Sequence, residues 1–192
     1  MRIGATFLSR DLGFSRKGPA MTDLIRPIAE SLRVSDFFIG LLTGDLSNAQ
    51  ATQRVRVDEG PSISWVVGHL LNGRCEILKL LDSEAENRFA EKFDRLVAAS
   101  DGSDYPPLPD LMSSWSDISQ RVFRAFSTVT HEQLVNPIAE MGAPHEERNL
   151  LGVLAYVVWH ETYHMGQIGT IRTQMGLTPM IDRAIEVWQA SS

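Results

Sequence analysis

Val153-Leu154-Ala155-Tyr156-Val157-Val158-Trp159-His160-Glu161-Thr162-Tyr163-His164-Met165-Gly166-Gln167-Ile168-Gly169-Thr170-Ile171 carries the longest helical period in the chain. Val153, Val157, His160, His164, Ile168, Ile171 and, just beyond, Met175 recur at intervals of three or four residues. That spacing stacks side chains on one helix face, as a bundle core requires. Asn149 is a natural N-cap before the run, and Gly176 and Pro179 end it.

Three more segments show the same period. One runs from about Asp23 to Thr43, with Leu24, Ile28, Leu32, Ile39 and Leu42 on its face, Pro27 near its start and Gly44 at its end. A second starts at Ser62, a cap directly after Pro61. Its stripe is Ile63, Val66, Val67, Leu70, Ile77 and Leu81, with His69 and Gly73 among them. The third spans about Pro109 or Asp110 to Thr130 and buries Leu111, Trp115, Ile118, Val122, Phe126 and Val129. Ser83 to Ala99 reads as a short accessory helix, and Ile181 to Gln189 as a last one packing Ile185 and Trp188 over one end. The polar stretches Asp45–Pro61 and His131–Arg148 read as connections. In the first, Arg54-Val55-Arg56-Val57 alternates too briefly to make a strand. The expected fold is all-α, a four-helix bundle with short accessory helices. Such long connections fit one or two crossovers.

With 192 residues, 43% of them apolar, the chain suits one domain with a sizeable core. Residues 22–190 are expected to form it, and residues 1–21 to be a disordered extension or an over-called translation start. A net charge of −6 makes nucleic acid and anionic membranes poor default partners. No apolar run approaches the ~20 residues of a membrane span, and the N-terminus lacks a secretory h-region. Cys75 is the only cysteine, which excludes an internal disulfide and fits a reducing cytoplasm.

His160 and His164 lie one above the other on the apolar seam. As a pair they read equally well as hydrogen-bonded core residues or as metal ligands. His69 lies inside another apolar stripe near mid-bundle and shifts the balance toward ligation. Imidazole suits divalent transition metals, and bundles build such sites from inward residues of facing helices. Three protein nitrogens leave a position open for water or substrate, as catalytic sites do. His131 and His145 lie in polar connections and read as surface residues. His160-Glu161-Thr162-Tyr163-His164 also matches the H-E-x-x-H zinc protease pattern, with Glu161 as general base and Glu186 a conceivable third ligand. The absence of a strand pattern opposes that reading, as does the position of Glu161, about 100° around the helix from His160.

Two segments resemble a known family. Pro61-Ser62-Ile63-Ser64-Trp65-Val66-Val67-Gly68-His69-Leu70 is similar to the second-helix segment of the DinB-like (YfiT-like) metal-dependent proteins. Trp159-His160-Glu161-Thr162-Tyr163-His164-Met165-Gly166-Gln167-Ile168 is similar to the same family's paired histidines followed by Gly-Gln-Ile. The likeness covers about Thr22 to Met175. It implies an up-up-down-down bundle, usually a homodimer, with a three-histidine site of His69, His160 and His164 holding zinc or nickel. It also implies a transferase or isomerase using bacillithiol, mycothiol or a similar low-molecular-weight thiol in detoxification or stress response. Position 165 is Met where the family often carries Arg, so an anionic substrate or a partner subunit would be met differently here.

The leading expectation is therefore a cytoplasmic, metal-dependent enzyme acting on a small molecule, its metal lowering the pKa of a bound thiol. Glu161 and Tyr156 are the candidate catalytic residues, and Trp65 and Gln167 the candidate cofactor-binding ones. Trp65 and Tyr156 stand four residues before His69 and His160 and would wall the pocket. Gln167 would orient a ligand imidazole. Ordinary core packing for the rings and a surface amide for Gln167 are the plain alternatives. Cys75 is expected to be buried and inert. The competing function is a non-enzymatic metal-binding stress protein.

Overall fold

Ser62 and Asn149 start the two helices that carry the histidines. Ser62 Oγ accepts the Trp65 backbone N–H at 3.2 Å, and Asn149 Oδ1 accepts that of Gly152 at 2.9 Å. Each satisfies a donor that a helix start leaves without an intrahelical partner. In the computed structural model, which describes residues 21–56, 60–81, 85–94, 102–138 and 148–190, these helices are Ile63–Leu80 and Leu150–Gln174. In chain order the helices are α1 (Arg26–Thr43), α2 (Asn48–Thr52), α3 (Ile63–Leu80), α4 (Leu108–Phe126), α5 (His131–Val135), α6 (Leu150–Gln174) and α7 (Met180–Ala190). A 3-10 turn at Ala90–Lys92 lies between α3 and α4. Among the described residues there is no strand, and an isolated bridge joins Pro137 and Asn149.

The fold is all-α, as the periodicity predicts. α3 packs on α4 and α6, and α1 packs on the same two helices, so the four long helices enclose one core. Leu32, Leu42, Leu70, Leu111, Phe126 and Ile168 are among its buried residues. Gly176 stops α6 in the left-handed conformation, φ 72°, which glycine adopts without a Cβ penalty. Its N–H donates to Thr173 O, and that of Leu177 to Arg172 O, closing the helix end. Arg172 is buried there and holds Asp45 through both carboxylate oxygens at 2.8 and 2.9 Å, tying α6 to the end of α1. No helix of the described residues is long and apolar enough to cross a membrane.

Several expectations are corrected. α1 starts at Arg26, so Ile25 is buried and Leu24 is exposed, because the helical period does not extend back through the turn before it. The two polar connections contain α2 and α5, each opened by a reciprocal capping box, Ser47 with Gln50 and Thr130 with Gln133. Of the accessory helix expected over Ser83–Ala99, the described part forms only the 3-10 turn, with Phe93 buried beneath it. α7 forms, but Ala184 is its buried residue, while Ile185 and Trp188 are 42% and 58% exposed. An amphipathic pattern says that a helix has an apolar face, not that the face turns inward. Residues 1–20 and His145 lie outside the described residues.

Candidate metal centre

The helical period of α6 places His160 and His164 side by side, and α3 packs against them with His69. Nε2 of His160 lies 3.2 Å from Nε2 of His69 and 3.1 Å from Nε2 of His164. All three ligand atoms fall within 4.8 Å of one another. The far sides of two rings are engaged. Nδ1 of His69 faces the Phe93 carbonyl oxygen at 3.3 Å, and Nδ1 of His164 faces Gln167 Oε1 at 2.8 Å.

These partners select one tautomer for each ring. Carbonyl and amide oxygens only accept, so both Nδ1 atoms carry the proton and both Nε2 atoms present lone pairs. Two lone pairs then converge on His160 Nε2, which brings at most one proton in a neutral ring. The three nitrogens therefore cannot satisfy one another, whereas a single divalent metal ion would accept all three. The residues present fit a metal.

Electrostatics keep the three rings neutral. Burial pushes the pKa of all three rings below the usual histidine value. His160 falls furthest, to about 4, through burial first and then the neighbouring His164 and His69. Neutral imidazole is the ligating form, so near pH 7 few protons compete for the site.

Each ligand ring also meets an aromatic one. Trp65 stacks on His69 with centroids 4.9 Å apart and planes 7° from parallel. Tyr156 stacks on His160 at 6.0 Å, and Tyr163 meets His164 edge-on at 4.9 Å. Tyr163 in turn stacks on Trp159, and these two are 57% and 61% exposed, so the flank of the cluster on α6 is an open aromatic surface.

The structure thus brings together His69, His160 and His164, with Trp65, Tyr156 and Gln167 against their rings. It does not bring Glu161 to them. Glu161 is 1% exposed, and its two oxygens accept from Arg74 Nε and Nη2 at 2.6 and 2.9 Å. Glu186 is exposed on α7, ion-paired with Arg183. Met165 is a core side chain. Cys75 is buried outside the cluster, and burial pushes its thiol up to about 11. Sequence reasoning missed Phe93, whose contribution is a backbone carbonyl and leaves no side-chain signal. It also missed Arg74, whose signal was a charge among the apolar residues Leu70, Leu71, Ile77 and Leu78.

The fold and the site define an all-α helical protein with three convergent histidines on two facing helices. The DinB superfamily profile matches residues 41–168, which include all three histidines, and the chain belongs to that superfamily. No curated protein matches it. Among solved structures, the conserved protein of a locus from Enterococcus faecalis is similar in fold, with a TM-score of 0.64 at 15% identity. That similarity covers 81% of this chain and 98% of that one.

Proposed function

We propose that this protein is a metal-dependent enzyme of the thiol-handling type, a transferase or isomerase. His69, His160 and His164 hold its divalent ion, zinc or nickel. The observation that carries the reading is the convergence of three Nε2 atoms within 4.8 Å, two of them with the opposite ring nitrogen engaged by an oxygen. Three nitrogen ligands leave coordination space for an exogenous group.

The chain's own side chains favour a nucleophile brought in from outside. The lone cysteine is buried with its thiol pushed up to about 11, and both oxygens of Glu161 are engaged by Arg74. When bound, the ion supplies a Lewis acid that lowers the pKa of a coordinated thiol toward neutrality. The Phe93 carbonyl and Gln167 hold the ligand rings in orientation, while Trp65 and Tyr156 shield two of them from water. The protease reading needs Glu161 as a free base, and its ion pair with Arg74 opposes that.

Cobalt-substituted protein titrated with low-molecular-weight thiols tests the proposal. A new sulfur-to-cobalt charge-transfer band, saturating with one thiol, is the expected result. A spectrum unmoved by every thiol would refute thiol handling and favour a non-enzymatic metal-binding protein. Peptide hydrolysis that Glu161→Gln abolishes while metal binding persists would restore the protease reading.

A further inference from the structure

Arg74 on α3 touches each of the other three long helices. Its side chain is completely buried. On α6, Nε and Nη2 donate to the two oxygens of Glu161 at 2.6 and 2.9 Å. On α1, Nη1 lies 2.9 Å from Asp36 Oδ1, and Nη2 donates to the Leu32 carbonyl at 3.1 Å. On α4, Nη1 donates to Ser119 Oγ at 2.9 Å, and the guanidinium lies over the Trp115 ring, 4.4 Å from its centroid. Ser119 Oγ also donates to Asp36 Oδ1, closing the network.

This network lies beside the histidines along the chain. Arg74 follows His69 by five residues on α3, roughly 7.5 Å along the axis. Glu161 stands between His160 and His164 on α6. One two-pronged ion pair therefore joins the two helix segments that carry the three ligands.

We infer that the Arg74–Glu161 pair is a positioning device for the metal centre, fixing the register and rotation of α3 against α6 so that His69 meets His160 and His164. The inference rests on the metal reading of the three histidines. The apolar contacts between these helices are non-directional and tolerate small slides. A slide of one residue moves His69 by about 1.5 Å, whereas metal–ligand bonds tolerate only about 0.2 Å. A planar guanidinium gripping both carboxylate oxygens resists such a slide because its geometry is directional. Net stability is a poor explanation for the pair, since well-packed apolar replacements of buried ion pairs are often neutral or stabilising. Geometric specificity is what those replacements would lose.

The test uses the full chain and three variants, R74M/E161M, R74K and E161Q, with cobalt as the probe. Thermal midpoint reports the fold, and cobalt affinity by competition with a chelator, together with the visible d–d spectrum, reports the site. The double variant, which also strips Asp36 of its cation, should melt below the wild type yet bind cobalt, while folded, roughly 10–100-fold more weakly and with an altered spectrum. R74K, which restores the charge without the fork, should rescue affinity only in part. If the double variant fails to fold, E161Q decides the matter, since it keeps the shape and loses one charge-assisted bond. A weaker, spectrally shifted site in E161Q supports the inference. Wild-type affinity and spectrum in a folded R74M/E161M, or in E161Q where the double variant does not fold, overturn it and leave the metal reading intact. A wild type that takes up no cobalt removes the metal reading and the inference with it.

Discussion

Replacing Gly68 by alanine would put a methyl group where the Phe93 ring already lies. A Cβ at Gly68 would stand 2.6 Å from Phe93 Cδ1, against a carbon–carbon optimum of about 3.5–4.0 Å. Phe93 is fully buried and packs against Tyr105, with centroids 5.2 Å apart, so its ring cannot step aside without displacing core. The Phe93 carbonyl that faces His69 Nδ1 belongs to the same residue and would move with it. Overpacking of this kind costs roughly 1–3 kcal/mol, and the better helix propensity of alanine offsets about 1 kcal/mol. The expected net loss is up to about 2 kcal/mol, or up to about 8 °C in Tm for a chain of this size. Loss of the tautomer-fixing carbonyl should also weaken metal binding by roughly 10–100-fold. Gly73→Ala is the control, because nothing lies within 4 Å of its Cβ and it should stabilise α3 by up to about 1 kcal/mol. Circular dichroism melts of the metal-free proteins and chelator competition of the loaded ones measure both effects. A Gly68→Ala protein as stable as the wild type, with the same metal affinity, would refute the proposed contact between Gly68, Phe93 and His69.

Acid should weaken the metal-free protein through its histidines. Their folded pKa values lie below the unfolded ~6.5, so the unfolded chain binds protons first, and stability present above pH ~6.5 is lost as pH falls toward the His160 value of about 4. His160 is half-buried, so after discounting for solvent screening its share is about 1–2 kcal/mol. Urea unfolding at pH 7 and pH 5 should show His160→Ala losing less stability than the wild type, and an equal loss would contradict this. Ser62→Ala removes the cap of α3 and should cost about 1 kcal/mol, read as a fall of about 2–4 °C in Tm. An unchanged Tm would show the cap to be idle. Cys75 should resist iodoacetamide in the folded state and react at once in denaturant. Rapid stoichiometric labelling of the native protein would place that thiol elsewhere.

The long helices are legible in the sequence because their signals are local. Ser62 and Asn149 cap, Gly176 stops, and the three-and-four spacing marks the buried faces. The histidine cluster is legible for the same reason, since His160 and His164 share a face by spacing alone and His69 sits in its own apolar stripe. What is not legible depends on distant partners. Glu161 looks like half of a protease motif until Arg74, 87 residues away in sequence, is found to hold both its oxygens. The acceptor facing His69 is a backbone carbonyl 24 residues on, which no side-chain pattern announces. α2 and α5 are too short to show a period, although their capping boxes, Ser47 with Gln50 and Thr130 with Gln133, are written in the sequence. The outward turn of Ile185 and Trp188 follows from how α7 lies against α1, which its own pattern does not contain.

The central claim is that three convergent imidazoles hold a metal ion, and elemental analysis tests it most directly. Wild-type protein loaded with zinc, nickel or cobalt and freed of excess should carry one ion per chain, and His160→Ala, which removes the nitrogen nearest both others, should carry none. A folded wild type that retains no metal after loading would contradict the account.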